Sequence, residues 1–434
     1  MHARHLTEQL PNPVILLPGL FGSKLVVPGS GRSVWGDFSD GMADPMSAEG
    51  AQLFAFPMEP GKSLDKLDPL SEVDGTLSTV DGRIAGIQVR VRAYGEALAA
   101  IGVGSWPGAR DADGEASGDA AFEFAYDFRR SIDHSACLLE LFMRRATRFL
   151  QVQRGSHAPI RFDVVAHSQG GLVLRWFLRY GGSLLPYDGL PRPTWAGADL
   201  IDRAIVVGSP SAGATLAVDR LVSGVPGNPL HPPYGPVLMG SFPSGYQLLP
   251  RHRHDAISAD DGHTVDPLDP EFWLARDIGM CSSTHRDARE RALTGIEGHA
   301  ARRDVAEDHL RKCLANAGAF QAALDRPMPD KPAHLGLHLF LSNGKDTGRR
   351  VSVAAGEQSV EVVEQALGDG TVTCSSALMS SDGVNADLSR VDSPVPWDSI
   401  TQLKSGHLAL MHDPALLAAL PGLLGRNSTP IPMT

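Results

Sequence analysis

The sequence predicts an α/β fold with a mostly parallel central sheet flanked by helices, and three observations carry that expectation. The short apolar runs Val14–Leu17, Val164–Ala166 and Ala204–Val207 have the length and composition of strands buried on both faces. Stretches with apolar residues at helical spacing lie between such runs, as crossover helices between parallel strands require. The alternation breaks over residues 211–332 and resumes at Leu335–Leu341, which predicts a sheet interrupted by a cap or lid insertion.

In chain order, Val14–Leu17 is closed by Pro18 and Gly19 and reads as the opening strand. Residues 28–88 are rich in Gly, Pro, Ser and Asp and form a long excursion, with short strands only at its end near residues 86–91. A helix follows over Tyr94–Ile101. Residues 108–120 are acidic and read as a solvated loop; Asp111 and Asp113 faintly echo a calcium loop whose other ligands are missing. Phe122–Tyr126 alternates like a strand, and Leu138, Leu141, Phe142 and Phe149 recur at helical spacing in a helix covering the sheet. Strands at 160–166 and 204–207 follow. Within 211–332, Pro/Gly-rich loops give way to charged helical segments between about Arg286 and Leu324. The expected division is 1–210 as the first part of the core, with a lid-like excursion at about 28–88. A cap domain takes 211–332, and 333–434 completes the core.

The composition bounds the partners. A chain of 434 residues with 42% hydrophobic and 21% charged residues has ample material for a large core. Lys and Arg number 39 against 50 Asp and Glu, a formal charge of −11, with no basic block. That argues against nucleic acid and against docking on anionic lipid through a polybasic patch. The four cysteines form no C-x-x-C, so neither a zinc site nor a dithiol motif is suggested; no cofactor is expected. Cys281 and Cys313 make the one plausible local pair, and free buried thiols are the expected state. The first residues lack an apolar signal core, and Ala415–Leu424 is too short to span a bilayer and is interrupted by Pro421. A cytoplasmic location is expected, with secretion of a trimmed form left open.

The chemistry is concentrated in residues 164–171 (VVAHSQGG), followed by the apolar-rich Leu172–Leu178. A strand, a sharp turn bearing a serine between small residues, and a helix constitute the nucleophile elbow of an α/β-hydrolase, here as A-x-S-x-G. Ser168 is the candidate nucleophile. A serine needs a base, and the base an orienting carboxylate, which in this fold follow in the order Ser, acid, His. Two acids satisfy the spacing. Asp369 lies between glycines in residues 367–372 (LGDGTV), and Asp346 follows the strand ending at Leu341. His407 and His412 are the histidines C-terminal to both; His407 follows a glycine in a loop after a strand at Ser399–Leu403, whereas His412 falls within a helix, so His407 is the candidate base. His231, His252, His254 and His263 read as surface residues. An oxyanion hole needs two backbone N–H groups, one from Gln169 after the nucleophile and one from the loop at residues 18–23 (PGLFGS), with Leu20 the donor and Phe21 beside it a substrate-binding candidate.

Several segments together resemble the lecithin:cholesterol acyltransferase family, which includes lysosomal phospholipase A2 and the phospholipid:diacylglycerol acyltransferases. Residues 13–25 (PVILLPGLFGSKL) look like its opening strand and oxyanion loop, and 125–129 (AYDFR) resemble its Y-D-W-R element with Phe for Trp. The elbow matches its H-S-x-G segment, 208–213 (GSPSAG) its G-x-P-x-G turn, and 242–250 (FPSGYQLLP) a stretch of its cap. Residues 368–372 (GDGTV), with Ser376-Ala377-Leu378 after them, look like its acid loop, and on that resemblance the acid is Asp369. No cysteine pair brackets the first excursion, so the family's disulfide-bound lid is absent, and residues 28–88 and 255–330 show no match.

The resemblance implies a serine-dependent hydrolase or acyltransferase acting on lipid esters, with transient contact to a membrane surface. The residues alone leave open an esterase of soluble short esters, lactones or polyesters, and a catalytically silent binding module. Asp127 and Arg129 are expected to form a buried ion pair in preference to touching substrate. Trp35, Leu53, Phe54, Phe56 and Met58 are expected either to form a lipid-docking surface or to be buried under the cap.

Overall fold

The computed structural model describes residues 11–84, 87–102, 121–259, 262–381 and 393–425. The acidic stretch 108–120, with Asp111 and Asp113, lies outside the described residues. Among the described residues six strands form the central sheet: β1 (Val14–Leu17), β2 (Ala121–Glu123), β3 (Phe162–His167), β4 (Ile201–Val207), β5 (Gly336–Ser342) and β6 (Ser399–Leu403). Their spatial order is β6-β5-β4-β3-β1-β2 and every pairing is parallel. The register sets Leu16 of β1 beside Val165 of β3, and Val165 beside Ile205 of β4. All four residues of β1 are fully buried, which is why its sequence is a continuous apolar run instead of an alternating one.

Helices cover the sheet. Helix α3 (Ile132–Gln153) buries Leu139, Met143, Ala146 and Leu150, spaced by four, three and four, so one face of the 3.6-residue repeat meets the core. Helix α4 (Gln169–Tyr180) is buried along all twelve residues, including Arg175 and Arg179. Helix α1 (Ala48–Phe54) and helix α2 (Gly95–Ile101) lie earlier in the chain; α5 (His299–Asp325) and α6 (Pro414–Leu423) lie later. Pro421 does not interrupt α6, which runs two residues past it. No helix among the described residues is long and apolar enough to cross a membrane. All four cysteines are free, and Cys281, Cys313 and Cys374 are buried.

The first excursion is more ordered than its composition suggests. Ser23–Val26, Ser33–Trp35 and Glu72–Thr76 form a small antiparallel sheet, and the Ser47 hydroxyl caps α1 by accepting the Gly50 N–H at 3.0 Å. Trp35, Leu53, Phe54, Phe56 and Met58 are each less than a tenth exposed. Burial therefore replaces the lipid-docking surface that was the other expectation for these side chains. His254 is likewise buried, not superficial, and its Nε2 lies 3.0 Å from the Ser380 carbonyl.

Residues 211–332 contribute most of a second apolar cluster, built around Val218, Tyr246, Trp273, Leu310 and Leu314. Met58 from the first excursion and Val351 and Val353 from the later part of the chain complete it.

Arg129 ties the excursion to the segment that follows β2. Arg129 is fully buried; its Nε and one terminal nitrogen each donate to an Asp127 carboxylate oxygen at 2.8 Å. The other terminal nitrogen donates to the carbonyls of Leu53 (3.0 Å) and Phe54 (2.9 Å), at the end of α1. The pair is thus structural, as its composition suggested. Arg129→Ala leaves the Asp127 carboxylate buried without its counter-charge, a change that typically costs about 3–5 kcal/mol. Equilibrium denaturation of the variant should show a loss of that order, and a loss under about 1 kcal/mol would show that the excursion is held by something else.

Candidate active site

Strand β3 ends at His167 and α4 begins at Gln169, so Ser168 alone makes the turn between them. Its backbone adopts φ 53° and ψ −123°, a conformation an L-residue occupies only when its surroundings impose it. The Ser168 N–H donates to Val207 of β4 at 2.9 Å, and its carbonyl accepts the Gly171 N–H at 3.0 Å. The ladder thus continues into the serine from one side, and the helix starts from the other.

The small residues around it have measurable causes. A Cβ on Gly170 would stand 2.6 Å from the Pro18 carbonyl oxygen, and one on Gly171 would stand 2.6 Å from the Ser209 hydroxyl. A Cβ on Gly19 would stand 2.7 Å from the Cβ of Ser168 itself. These are closer than real carbon contacts, so the residues 166–171 (AHSQGG) and the turn after β1 can approach only because the glycines lack a side chain.

The Ser168 hydroxyl lies 2.9 Å from Nε2 of His407. Nδ1 of His407 lies 2.7 Å from one oxygen of Asp369. The other Asp369 oxygen accepts the N–H groups of Thr371 (2.9 Å) and Val372 (2.7 Å), which fixes the carboxylate in its own tight loop. The Asp369 carbonyl in turn accepts the His407 N–H at 2.9 Å. Ser168 and Asp369 are buried, while the His407 side chain keeps 19% of its surface exposed, so the ring is the part of the trio most open to solvent.

Of the two candidate acids the structure brings Asp369, and not Asp346, to His407. Asp346 sits exposed in the antiparallel strand Lys345–Ser352, paired with Leu367. His412 lies in the short 3₁₀ turn Leu408–His412, its Nδ1 3.8 Å from the Glu96 carboxylate. Cys374, the buried thiol nearest the acid in sequence, is pushed up to about 11 by burial and then by the Asp369 carboxylate, and its thiol donates to the Ser342 carbonyl. It stays a thiol at neutral pH and offers no competing nucleophile.

The loop after β1 supplies the other side of the site. The Gly19 carbonyl accepts the Gly22 N–H at 3.0 Å, and in a trans peptide the Leu20 N–H then points the opposite way. Neither the Leu20 nor the Gln169 N–H has a hydrogen-bond partner among the described residues. Phe21 holds φ 64°; its carbonyl accepts the Trp35 indole N–H at 2.9 Å, and its ring lies 4.6 Å from Trp35 and 5.2 Å from Phe128. The Gln169 side chain is buried and donates to the Phe128 carbonyl at 3.1 Å. Gly208, with φ 55°, passes so close that a Cβ there would stand 3.2 Å from the Asp369 carboxylate. Tyr94, at the start of a helix and without a local sequence signal for a role in the site, accepts the Gly19 N–H at 2.8 Å. No metal-binding group of three or more His, Cys, Asp or Glu side chains occurs among the described residues.

No protein-family model matches this chain, and no curated protein matches it in sequence. Among solved structures it is similar to that of the Tle4–Tli4 complex, with a TM-score of 0.58 and 13% identity over 96% of this chain and 99% of that one. It is more distantly similar to the Bacillus licheniformis lipase BlEst2 in propeptide form (TM-score 0.31, 11% identity, 98% of this chain and 53% of that one). A gene product of Listeria innocua gives a TM-score of 0.28 at 12% identity, over 96% of each chain. At these identities the likeness is one of fold. The parallel six-stranded sheet, with its serine turn between the third strand and the following helix, is the α/β-hydrolase fold.

Proposed function

We propose that the chain is a serine-dependent ester hydrolase or acyltransferase acting on lipid esters through an acyl-enzyme on Ser168. The observation that carries the reading is the continuous hydrogen-bonded line from Ser168 through His407 to Asp369, starting at a strained turn. His407 Nε2 takes the hydroxyl proton as Ser168 Oγ attacks the ester carbonyl. The carbonyl π electrons move onto its oxygen, and the unpaired N–H groups of Leu20 and Gln169 stabilise that charge. Asp369 holds Nδ1–H and balances the imidazolium. Collapse expels the alcohol, which takes the proton from His407, and leaves the acyl group on Ser168. Water or a second alcohol then attacks the acyl-enzyme by the same steps in reverse, giving hydrolysis or acyl transfer.

The resemblance to the lecithin:cholesterol acyltransferase family supports a lipid substrate. In this reading residues 211–332 act as a cap over Ser168. Ser244, from that segment, donates its hydroxyl to the same Phe128 carbonyl that holds the Gln169 side chain. A soluble-ester esterase is the second reading, favoured by one observation: Trp35, Leu53, Phe54, Phe56 and Met58 of the first excursion are buried and do not form a docking surface.

Ser168→Ala is expected to lower turnover of p-nitrophenyl esters by about three orders of magnitude or more, with thermal unfolding unchanged and fluorophosphonate labelling abolished. Activity within tenfold of the parent protein would end the assignment. The two substrate readings separate in an acyl-length series. A lipid enzyme gains roughly 0.8 kcal/mol for each buried CH₂, so kcat/KM should climb from acetyl to about decanoyl esters. A preference for acetyl would transfer the reading to soluble esters.

A further inference from the structure

His167, the residue before the proposed nucleophile, is only 2% exposed, and both of its ring nitrogens are engaged. Nδ1 lies 2.8 Å from the Tyr94 hydroxyl, and Nε2 lies 3.1 Å from the carbonyl oxygen of His407. The Tyr94 hydroxyl also lies 2.8 Å from the Gly19 nitrogen. The direction of every hydrogen bond in this chain follows from its first member. The Gly19 N–H can only donate, so the Tyr94 oxygen accepts there and has one proton left to give. Nδ1 of His167 receives that proton as an acceptor and is itself bare. The neutral ring then carries its hydrogen on Nε2, which donates to the His407 carbonyl.

We propose that Tyr94 and His167 are positioning residues, a two-member relay that locks the oxyanion loop and the base-bearing loop into one register around Ser168. The inference rests on the Ser168 reading above and adds to it. His407 lies outside any strand, in the loop between β6 and the following 3₁₀ turn, yet its backbone is held from both directions. Its N–H donates to Asp369, and its carbonyl receives His167. Gly19 is held in the same way, its N–H by Tyr94 and its carbonyl by Gly22. Because Gly19 precedes Leu20, fixing both of its polar groups fixes the peptide plane that carries the Leu20 N–H. One relay thus spans from the proposed oxyanion donor to the proposed base, and passes through the residue that begins the strained turn.

The electrostatics keep the relay in this form. Burial, and next the adjacent His407, hold the His167 pKa well below its ordinary value, so the ring stays neutral and keeps a bare nitrogen for Tyr94. Burial raises the pKa of the Tyr94 phenol, partly offset by the Gly19 N–H, so it remains a donor throughout the working range. The His167 and His407 rings lie 4.8 Å apart at 42°, in contact without sharing a proton.

Tyr94→Phe removes a single oxygen and keeps the buried ring. A loosened geometry at the reacting atoms should lower kcat about 10–100-fold while KM stays within about twofold. His167→Gln should lower kcat similarly. The double variant should be no slower than the slower single one, because either change breaks the same chain. A readout independent of turnover is the ¹⁵N spectrum of histidine-labelled protein, in which His167 should carry its proton on Nε2. Tyr94→Phe with unchanged kcat, or a His167 protonated on Nδ1, would overturn the relay. Ser168→Ala run alongside separates the two ideas. If Ser168→Ala is inactive while Tyr94→Phe is as fast as the parent, the relay alone falls; if both variants stay active, the Ser168 reading and the relay fall together.

Discussion

The backbone of Ser168 is the constraint on which the rest of this site depends. A residue with a side chain at φ 53° and ψ −123° costs on the order of 1–3 kcal/mol, and it persists only where neighbours leave no alternative. Here a parallel ladder delivers the chain into the turn, and a fully buried helix carries it away. Three glycines let other backbone and side-chain atoms come within the distance a Cβ would occupy. The strain places the hydroxyl at the C-terminal end of β3, where His407 and Asp369 arrive on loops from later in the chain. The order of the fold thus runs from the turn outward.

What the sequence made legible was whatever is local. The apolar runs of β1, β3 and β4, the elbow, and the strand before His407 each announce themselves within a dozen residues, because burial on both faces or a sharp turn restricts composition on the spot. The first excursion did not announce itself. The strands of its small three-stranded sheet are three to five residues long, and their partners are brought from separate parts of the chain, as when Leu25 pairs with both Trp35 and Val73. No periodicity develops in so few residues. The Ser47 cap was a readable sign of α1, but it stood in a stretch already rich in serine and glycine. Side chains such as Trp35 and Phe54 could be buried or exposed on composition alone, and only tertiary packing decides between those.

The acid shows the same division. Spacing left Asp346 and Asp369 equal, since each follows a strand in a glycine-bearing segment. The resemblance selected Asp369, and the structure sets its carboxylate against His407 while Asp346 points outward from a hairpin strand. Tyr94 lay beyond any sequence signal, because its importance arises from a contact 75 positions away in the chain with Gly19. Its neighbour in the relay, His167, was in plain view inside the elbow but had no partner that local sequence could name.

The protein carries a large negative formal charge, yet its interior is stitched by arginines, of which Arg129 is the clearest. A guanidinium offers five N–H groups in one plane, and Arg129 directs them to both oxygens of Asp127, to the carbonyls of Leu53 and Phe54, and at 3.5 Å to that of Ser71. A lysine would bring the same charge to a single point with three donors and could not reach all of these acceptors together. The position therefore selects for shape as much as for sign. Among distant relatives, a planar cation two residues after an aspartate would mark this tie more faithfully than any tally of charge.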